Sequence, residues 1–319
     1  MHLLLVILTA LAQAAAPYVV VLGIVQDGGL PHAGCEREHC ERARRDPGHR
    51  RLVSSLAIVD PATGERWIVD ATPDFPLQLA AVGSDPPAGI LLTHAHIGHY
   101  TGLMYLGREV MGARGVSVYA MPRMAAFLRE NGPWSQLVEL GNIELRPLED
   151  GVAVELNERI SVVPFRVPHR DEFSETVGFL IRGPDVSVVF IPDIDKWERW
   201  DRRIEDVIAS ADVAYLDGTF FADGEVPGRA MAEIPHPFIA ESLARFASLP
   251  PEERAKIRFI HLNHTNPALD PESEARRAVE RAGMRVAEEG ERIPLASNDT
   301  LESFTNCDRS PDAGGVPDV

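Results

Sequence analysis

The segment LLTHAHIGH, residues 91–99, places three histidines within six residues, directly after a short apolar run. Side chains two apart on an extended segment point to the same side, so His94 and His96 share one face. His99 can return to that face where a helix begins. Neutral imidazole is the commonest nitrogen ligand of zinc, so this pattern predicts a metal site. Histidines solvated at the surface are the alternative interpretation.

Three further segments end an apolar run with a side chain that can bind a metal. VPH ends at His169, FIPD ends at Asp193, and FIHLNH carries His261 and His264. Each ligand would lie at the end of a buried strand, where a rigid sheet holds it in place. With the histidine cluster, these segments predict a metal centre built around His94, His96, His99, His169, Asp193 and His261.

Short apolar strands fill the early and middle chain, with helices between and after them. The predicted strands are 19–24, 55–59, 67–69, 89–92, 116–119, 160–167, 176–181, 187–191, 213–216 and 258–262. The predicted helices are 73–82, 101–110, 237–248 and 272–282. This order favours sheets packed together with helices on the outside over a strict βαβ repeat.

The two ends of the chain differ in composition from the rest. Residues 1–16 are apolar and end in small residues of the A-x-A type, which is typical of a cleaved signal peptide. A buried first strand is the alternative interpretation. Residues 306–319 are polar, rich in Pro and Gly and without periodicity, which predicts a disordered tail. We therefore expect one domain over 17–305 in an exported protein, periplasmic or secreted, with no membrane segment in its mature form.

The charge limits the classes of partner. The chain of 319 residues has 31 Lys and Arg against 48 Asp and Glu, a net charge of −17. A surface with this net negative charge repels phosphate backbones, and non-specific nucleic-acid binding is therefore not expected. A small-molecule substrate is the expected partner, and the sequence gives no oligomeric state. Three cysteines are too few for a disulfide scaffold.

The order HxHxxH, His, Asp, His resembles the metallo-β-lactamase superfamily, over residues 18 to about 295. The resemblance is closer to two families within it, the pyrroloquinoline quinone biosynthesis protein B family and the cyclic phosphodiesterases of bacterial phosphonate utilisation. It is carried by LGIVQDGGLPHAGCEREHC (22–40), VPHRDEFSETVGF (167–179) and HLNHTNPAL (261–269). It implies an α+β fold, an αββα sandwich with the metals at one edge.

The resemblance also implies a division of the ligands. His94, His96 and His169 would hold one metal, His99 and His261 a second, and Asp193 would bridge them. The superfamily pattern is HxHxDH, but Gly98 stands where that pattern has its aspartate. The second metal then has one carboxylate ligand fewer. Its site binds metal weakly or is empty, unless another residue such as Asp195 replaces the missing aspartate. Zinc is the expected metal, and iron or manganese would also suit these ligands.

A second metal site is implied near the N-terminus. The related families carry CxCxxC where this chain has Cys35, Arg37 and Cys40, and in the phosphodiesterases those cysteines bind a structural zinc with a histidine that corresponds to His264. His39 could replace the missing cysteine. A closed four-ligand zinc site on Cys35, His39, Cys40 and His264 is the resulting prediction. A Cys35–Cys40 disulfide and free thiols are the alternatives.

The expected chemistry is hydrolysis. A metal with an open position lowers the pKa of bound water to about 7, which yields hydroxide at neutral pH. Asp193 could orient that water or accept its proton, and His236 is a candidate proton donor to the leaving group, if it is not merely a helix-start residue. Residues 171–175 contain three acids that could bond imidazole N–H groups or be solvated. Asp70, Asp74 and Asp217 are expected to support the site or to cap turns.

These observations predict a metallohydrolase acting on a small ester, with a phosphodiester as the first choice. An iron-dependent oxidative role like that of the quinone biosynthesis family is the alternative, and the expected export signal argues against it. A non-catalytic metal-binding protein is a third possibility, permitted by Gly98. The superfamily also includes RNA-processing enzymes, which the net charge disfavours.

Overall fold

The predicted strands pair into two sheets that face each other. The structure is a computed structural model and describes residues 15–225 and 234–297. Within these residues each sheet has seven strands. Residues 1–14 and 298–319 lie outside the described residues, so the predicted signal peptide and disordered tail stay predictions.

The first sheet contains the strands of the N-terminal half and one from the C-terminal end. They are β1 (Tyr18–Gly23), β2 (Ser55–Asp60), β3 (Glu65–Val69), β4 (Gly89–Leu91), β5 (Val116–Ala120), β6 (Ile143–Pro147) and β14 (Arg292–Pro294). Their order is β14-β1-β2-β3-β4-β5-β6. The strands β14 to β3 pair antiparallel, and β3 to β6 pair parallel.

The second sheet contains the strands of the C-terminal half. They are β7 (Val154–Glu155), β8 (Ser161–Arg166), β9 (Val177–Arg182), β10 (Ser187–Ile191), β11 (Val213–Asp217), β12 (Ile257–Ile260) and β13 (Arg285–Val286). They lie in chain order across the sheet, and β10 to β13 run parallel. The strand β8 is antiparallel to β9, and β9 to β10, so β8 points the same way as β10.

Helices cover the outer faces of the two sheets, except the first, whose Cys40 and Ala43 pack in the core between the sheets. They are α1 (Glu38–Arg45), α2 (Phe75–Val82), α3 (Ile97–Tyr100), α4 (Pro122–Glu130), α5 (Trp134–Glu139), α6 (Ile204–Ala209), α7 (Ile239–Phe246), α8 (Pro251–Ala255) and α9 (Glu274–Arg281). None of the helices within 15–225 and 234–297 is long and apolar enough to cross a membrane.

Alternation along the strands produces three apolar layers. In β1, Val19 and Val21 join the core between the sheets, whereas Val20 packs under α2, α4 and α5. In β10, Phe190 faces the central core and Val189 packs against α6, α7 and α9. Successive side chains of a strand point to opposite faces, so strands buried on both sides are apolar throughout. The result is the predicted αββα sandwich.

Some predicted elements differ from the structure. The helix predicted over 101–110 is a 3₁₀ helix, Thr101–Leu106. A Cβ on Gly102 would lie 2.2 Å from the carbonyl oxygen of Thr72, so this segment packs directly on the neighbouring backbone. The helices α1, α4, α5, α6 and α8 and the strands β6, β7, β13 and β14 were not predicted, because each is short or has a weak apolar pattern.

Candidate metal centre

The site lies where strand ends from both sheets meet. The parallel strands β10, β11 and β12 bring their C-terminal ends to one edge, where Asp193 follows β10 and His261 follows β12. His169 follows β8 at the same edge. The histidine segment after β4 is tied to this sheet, since the backbone N–H of Val177 donates to the carbonyl oxygen of Thr93 at 3.1 Å. The structure therefore brings together all six residues predicted from the sequence.

The first group contains His94, His96, His169 and Asp193. One ligand atom of each lies within 4.8 Å of those of the others. His94 Nε2 is 2.9 Å from His96 Nδ1 and 3.3 Å from Asp193 Oδ2. His169 Nε2 is 3.2 Å from Asp193 Oδ1. Three imidazole nitrogens and a carboxylate at this spacing match the donor set of a zinc ion.

The second group contains His99, His261 and Asp27, whose ligand atoms also lie within 4.8 Å of one another. His99 Nε2 is 3.5 Å from Asp27 Oδ1 and 3.9 Å from Asp193 Oδ2. Asp193 thus lies between the two groups, in contact with nitrogens of both. This is the position that the resemblance implies for a bridging carboxylate.

Unsatisfied polar atoms test whether metal ions fit here. Among the described residues, ten buried side-chain polar atoms form no hydrogen bond, and five of them belong to this centre. They are Nε2 of His99, His169 and His261, Oδ1 of Asp27 and Oδ1 of Asp193. A buried polar atom without a partner is costly, and in a native site it calls for an ion or water. The residues present therefore fit metal ions.

The structure revises the expectation for Gly98. A Cβ on Gly98 would lie 2.1 Å from Asp27 Oδ1 and 2.6 Å from Asp27 Cα. The space that a side chain at residue 98 would need is therefore filled by Asp27. Asp195 does not fill it, because its Oδ1 lies 3.2 Å from His169 Nδ1 and its Oδ2 accepts from Arg199.

Hydrogen bonds orient the histidine rings. Nδ1 of His99 lies 2.7 Å from Asp70 Oδ2, and both side chains are fully buried. Nδ1 of His261 lies 3.0 Å from the hydroxyl of Thr219. On the opposite side of the first group, His96 Nε2 lies 3.0 Å from Glu172 Oε2. These contacts leave the other ring nitrogen to face the centre, as carboxylate and hydroxyl partners of metal-binding histidines do.

The acids singled out in the sequence take different positions. Glu172 bonds His96, whereas Asp171 accepts from the hydroxyl of Thr176 and Glu175 from the backbone N–H of Arg123. Asp74 accepts from the backbone N–H of Val53 and does not contact the histidines. Of the three acids that follow His169, only Glu172 therefore orients a ligand.

His236 lies beside Asp193, as the hydrolytic interpretation requires. Its Nδ1 is 2.8 Å from Asp217 Oδ2 and 3.2 Å from Asp193 Oδ1. Asp217 is itself fixed, because it accepts from the backbone N–H groups of Ile194 and Thr219. His236 is buried and does more than begin a helix, since it lines a cavity next to the centre.

The backbone is strained at this centre. Asp27, Asp70 and His261 are the only non-glycine residues with positive φ in the described parts of the chain. The φ angles of Asp70 and His261, 67° and 63°, lie in the left-handed region that disfavours side chains. Such strain persists only where surrounding contacts enforce it, and it concentrates at functional sites.

Charge and burial shift the pKa values of these groups in opposite directions. Burial lowers the pKa of His94 well below its usual value, with the neighbouring His99 adding to the effect. Burial alone would lower the pKa of His99, but the carboxylates of Asp70 and Asp27 outweigh it and raise that pKa to about 10. Burial would raise the pKa of Asp193, yet His169 and His236 hold it well below the usual range. The centre is thus an environment that favours a cation.

The residues of the zinc site predicted near the N-terminus also lie close together. Ligand atoms of Cys35, His39, Cys40 and His264 lie within 4.8 Å of one another. Both cysteines are free thiols in the structure, so the disulfide alternative is not what the fold forms. Burial, with the neighbouring Cys35, raises the pKa of the Cys40 thiol to about 11. A thiol so buried needs a cation to become a thiolate, which a zinc ion supplies.

Two residues near these sites have no clear signal in the sequence. His32 stacks on His264 with ring centroids 4.0 Å apart, and its backbone N–H donates to Cys40 Sγ. Asp27 lies in a glycine-rich loop far from the histidine cluster along the chain. Its carboxylate next to two glycines was a signal for a turn, not for a ligand.

Comparison with known proteins gives consistent matches. The family described as the beta-lactamase superfamily domain matches residues 65–287. Coenzyme PQQ synthesis protein B of Methylobacterium sp. (strain 4-46) is 30% identical over 312 residues, which cover 86% of this chain and 99% of that protein. The corresponding protein of Bradyrhizobium diazoefficiens is 27% identical, over 87% of this chain and 99% of its own.

Solved structures match over most of the chain as well. Zn(2+)-bound PqqB from Methylobacterium extorquens has a TM-score of 0.73 and 26% identity, over 87% of this chain and all of that one. A diphosphatase of the PhnP family has a TM-score of 0.61 and 22% identity, over 87% and 96% of the two chains. The second of these likenesses is one of fold alone.

Proposed function

Because the chain belongs to the β-lactamase superfamily and is homologous along most of its length to coenzyme PQQ synthesis protein B, we propose that it is a metal-dependent hydrolase of a small phosphodiester. The observation that carries this proposal is the convergence around Asp193 of five buried atoms that form no hydrogen bond, beside a cavity. A divalent ion held there acts as a Lewis acid and lowers the pKa of a water molecule.

Asp193 orients the water molecule and His236 moves a proton in this proposal. Asp193 Oδ1 forms no hydrogen bond, so it can accept one from a water molecule and orient it. Asp217 holds His236 through Nδ1, and Nε2 is then the ring atom that exchanges a proton with a substrate in the cavity. His236 is therefore the donor to the leaving group.

The cavity next to His236 fits a small anion. Its volume is about 650 Å³, and the described residues that line it include Arg37 and Arg170 beside one acid, Glu36. Arg170 also lies 3.6 Å from Glu172, which does not line the cavity. Both guanidinium groups are exposed in a chain whose net charge is −17. Guanidinium groups bind phosphate through paired N–H donors, so these two arginines favour a phosphodiester over a neutral ester.

The test uses full-length protein purified without added metal. Its metal content is measured, and bis(p-nitrophenyl) phosphate, p-nitrophenyl phosphate and p-nitrophenyl acetate are then compared with zinc, manganese or iron supplied. We expect turnover of the diester, stronger than that of the acetate, and its loss in His169→Ala. Exposed Arg108, which pairs only with its neighbour Glu109, provides the control variant Arg108→Ala with full turnover. Absence of diester turnover with all three metals would contradict the proposal.

A second candidate is a role like that of coenzyme PQQ synthesis protein B, with an iron-dependent oxidation. The identity of 30% over 99% of one such protein favours it. The metal measurement separates the two candidates. Tightly bound iron together with oxygen consumption, and no turnover of esters, would favour the oxidative role.

A further inference from the structure

We infer that Asp27 is the carboxylate ligand of a second metal ion, which it holds with His99, His261 and the shared Asp193. This inference rests on the proposed metal centre and extends it to an N-terminal residue. The superfamily match begins at residue 65, so Asp27 lies outside it. The observations that carry the inference are its backbone anchoring, its fit against Gly98 and its buried oxygen that forms no hydrogen bond.

Backbone pairing places Asp27 beside His261. Val25 bridges to Leu262, the N–H of Gln26 donates to the carbonyl oxygen of Leu262 at 2.9 Å, and the N–H of Leu262 donates to Ile24 at 2.8 Å. The loop after β1 is thus fixed to the residue that follows His261. A ligand held by strand pairing on both sides keeps its geometry without the metal.

Steric fit ties Asp27 to Gly98. Gly98 is the second residue of α3, and its missing side chain leaves room for the Cα and Oδ1 of Asp27. A Cβ at residue 98 would stand within 3.0 Å of three atoms of Asp27. The carboxylate therefore enters the space that a side chain at residue 98 would occupy, but from a different segment of the chain.

The carboxylate oxygens near this group have different partners. Both oxygens of Asp70 accept hydrogen bonds from Thr93 and the Oδ2 atom also contacts His99. Asp217 accepts from backbone N–H groups and from His236. Oδ1 of Asp27 is buried and forms no hydrogen bond, and the same holds for Nε2 of His99, 3.5 Å away, and for Nε2 of His261. These three atoms, with Asp193, supply the four ligands that zinc requires.

The experiment counts metal ions in variants of the full-length protein. Asp27→Asn keeps the size of the side chain and removes its charge, and the double variant Asp27→Gly, Gly98→Asp moves the carboxylate back to residue 98. Asp46→Asn is the matched control, because it removes an exposed carboxylate of the same N-terminal segment that bonds only Gly48 and His49. Bound zinc is measured by elemental analysis after dialysis, together with the melting temperature.

We expect the unmodified protein and Asp46→Asn to retain the same number of ions, two of them in the active centre. Asp27→Asn should retain one fewer, and the double variant should regain it. Gly98→Asp alone should melt at a lower temperature, because its Cβ overlaps Asp27. Full zinc content in Asp27→Asn would overturn the inference, whether or not the double variant folds. Unmodified protein with one active-centre ion and diester turnover would also overturn it and leave the proposed hydrolase standing.

Discussion

Asp70 and His99 form a fully buried pair in which Nδ1 of the ring lies 2.7 Å from Oδ2 of the carboxylate. Oδ1 of Asp70 accepts the backbone N–H of Thr93 at 2.8 Å, so the carboxylate cannot rotate without losing that bond. When the ring is neutral, this contact therefore holds its proton on Nδ1 and leaves its lone pair on Nε2. Only this tautomer can bind a metal from the Nε2 side.

Asp70→Asn should reverse that tautomer. The asparagine oxygen must stay on the N–H of Thr93, which turns the amide NH₂ group toward His99 and forces the ring proton onto Nε2. We expect the zinc affinity of the second group, which contains Asp27, His99 and His261, to fall about 10–100-fold. This is the range for loss of a group that orients a ligand. Titration of zinc into chelator-treated protein measures it, and equal affinities would contradict the tautomer argument.

Asp195→Ala should weaken the first group in a different way. Asp195 contacts Nδ1 of His169 at 3.2 Å, and its removal leaves that ring without its orienting partner. Zinc affinity should fall about 10–100-fold. Arg199→Ala is the control, because Arg199 contacts the outer oxygen of Asp195 and not the histidine. Equal losses in both variants would assign the effect to the surface ion pair instead.

His236→Gln should lower turnover in a way that depends on the leaving group. A proton donor matters most when the leaving group is a poor one, so an alkyl phosphodiester should lose about 10²–10⁴-fold in kcat. A p-nitrophenyl diester, whose leaving group needs no proton, should lose much less. Zinc content should be unchanged. An equal loss for both substrates would show that His236 acts on structure or on metal binding.

Cys40→Ser should remove one zinc ion per chain and lower the melting temperature. Zinc that binds only the folded state adds its binding free energy to stability, and the site joins the loop before α1 to the segment after β12. Arg108→Ala, which removes an exposed side chain far from these cysteines in the chain, is the control and should change neither property. If Cys40→Ser keeps both zinc content and melting temperature, the four residues do not form a metal site.

Arg159→Met should destabilise the junction of the two sheets. Asp60 at the end of β2 is fully buried and accepts from Arg159 and Asn157, which precede β8. Removal of the arginine leaves a buried charge and should cost about 3 kcal/mol in the free energy of unfolding at neutral pH. Denaturant unfolding measures it, and Arg159→Met with Asp60→Asn should recover part of the loss.

The same pair predicts a pH dependence. Burial alone would raise the pKa of Asp60, but hydrogen bonds from Arg159, the backbone N–H of Ala62 and Asn157, with the charge of Arg159, together outweigh it and lower that pKa below its usual value of 3.8. A carboxyl group with a lowered folded-state pKa stabilises the fold above the unfolded-state pKa, and this stability is lost as pH falls through the folded-state value. The cost of Arg159→Met should therefore shrink as pH falls below 3.8. A cost that does not vary with pH would point to lost packing alone.

The sequence could indicate six of the residues that converge around Asp193 because their signal is local. His94, His96 and His99 are close neighbours in the chain, and His169, Asp193 and His261 each follow an apolar strand. Asp27 could not be predicted in this way. Its place beside Gly98 depends on the pairing of Val25 and Gln26 with Leu262, more than two hundred residues along the chain.

The strands of the fold could also be predicted from local sequence, whereas some of the helices could not. Strands buried on both faces form continuous apolar runs, and these were found nearly to their bounds. The helix α1 was missed because only Cys40 and Ala43 of its eight residues are buried. The position of Asp195, beside His169 and not in the second group, is set by a tertiary contact, the bond from its backbone N–H to the carbonyl oxygen of Pro168.

The mutual exclusion of Asp27 and a side chain at residue 98 restricts how such a centre can evolve. A chain with aspartate at both positions would meet the overlap measured at Gly98. A chain with glycine at both would lack the carboxylate. The two arrangements differ at residues 27 and 98, so converting one into the other takes two substitutions. The chain with only one of them is in one of these two states. An intermediate between the two arrangements therefore has either steric overlap next to α3 or one carboxylate fewer at this group.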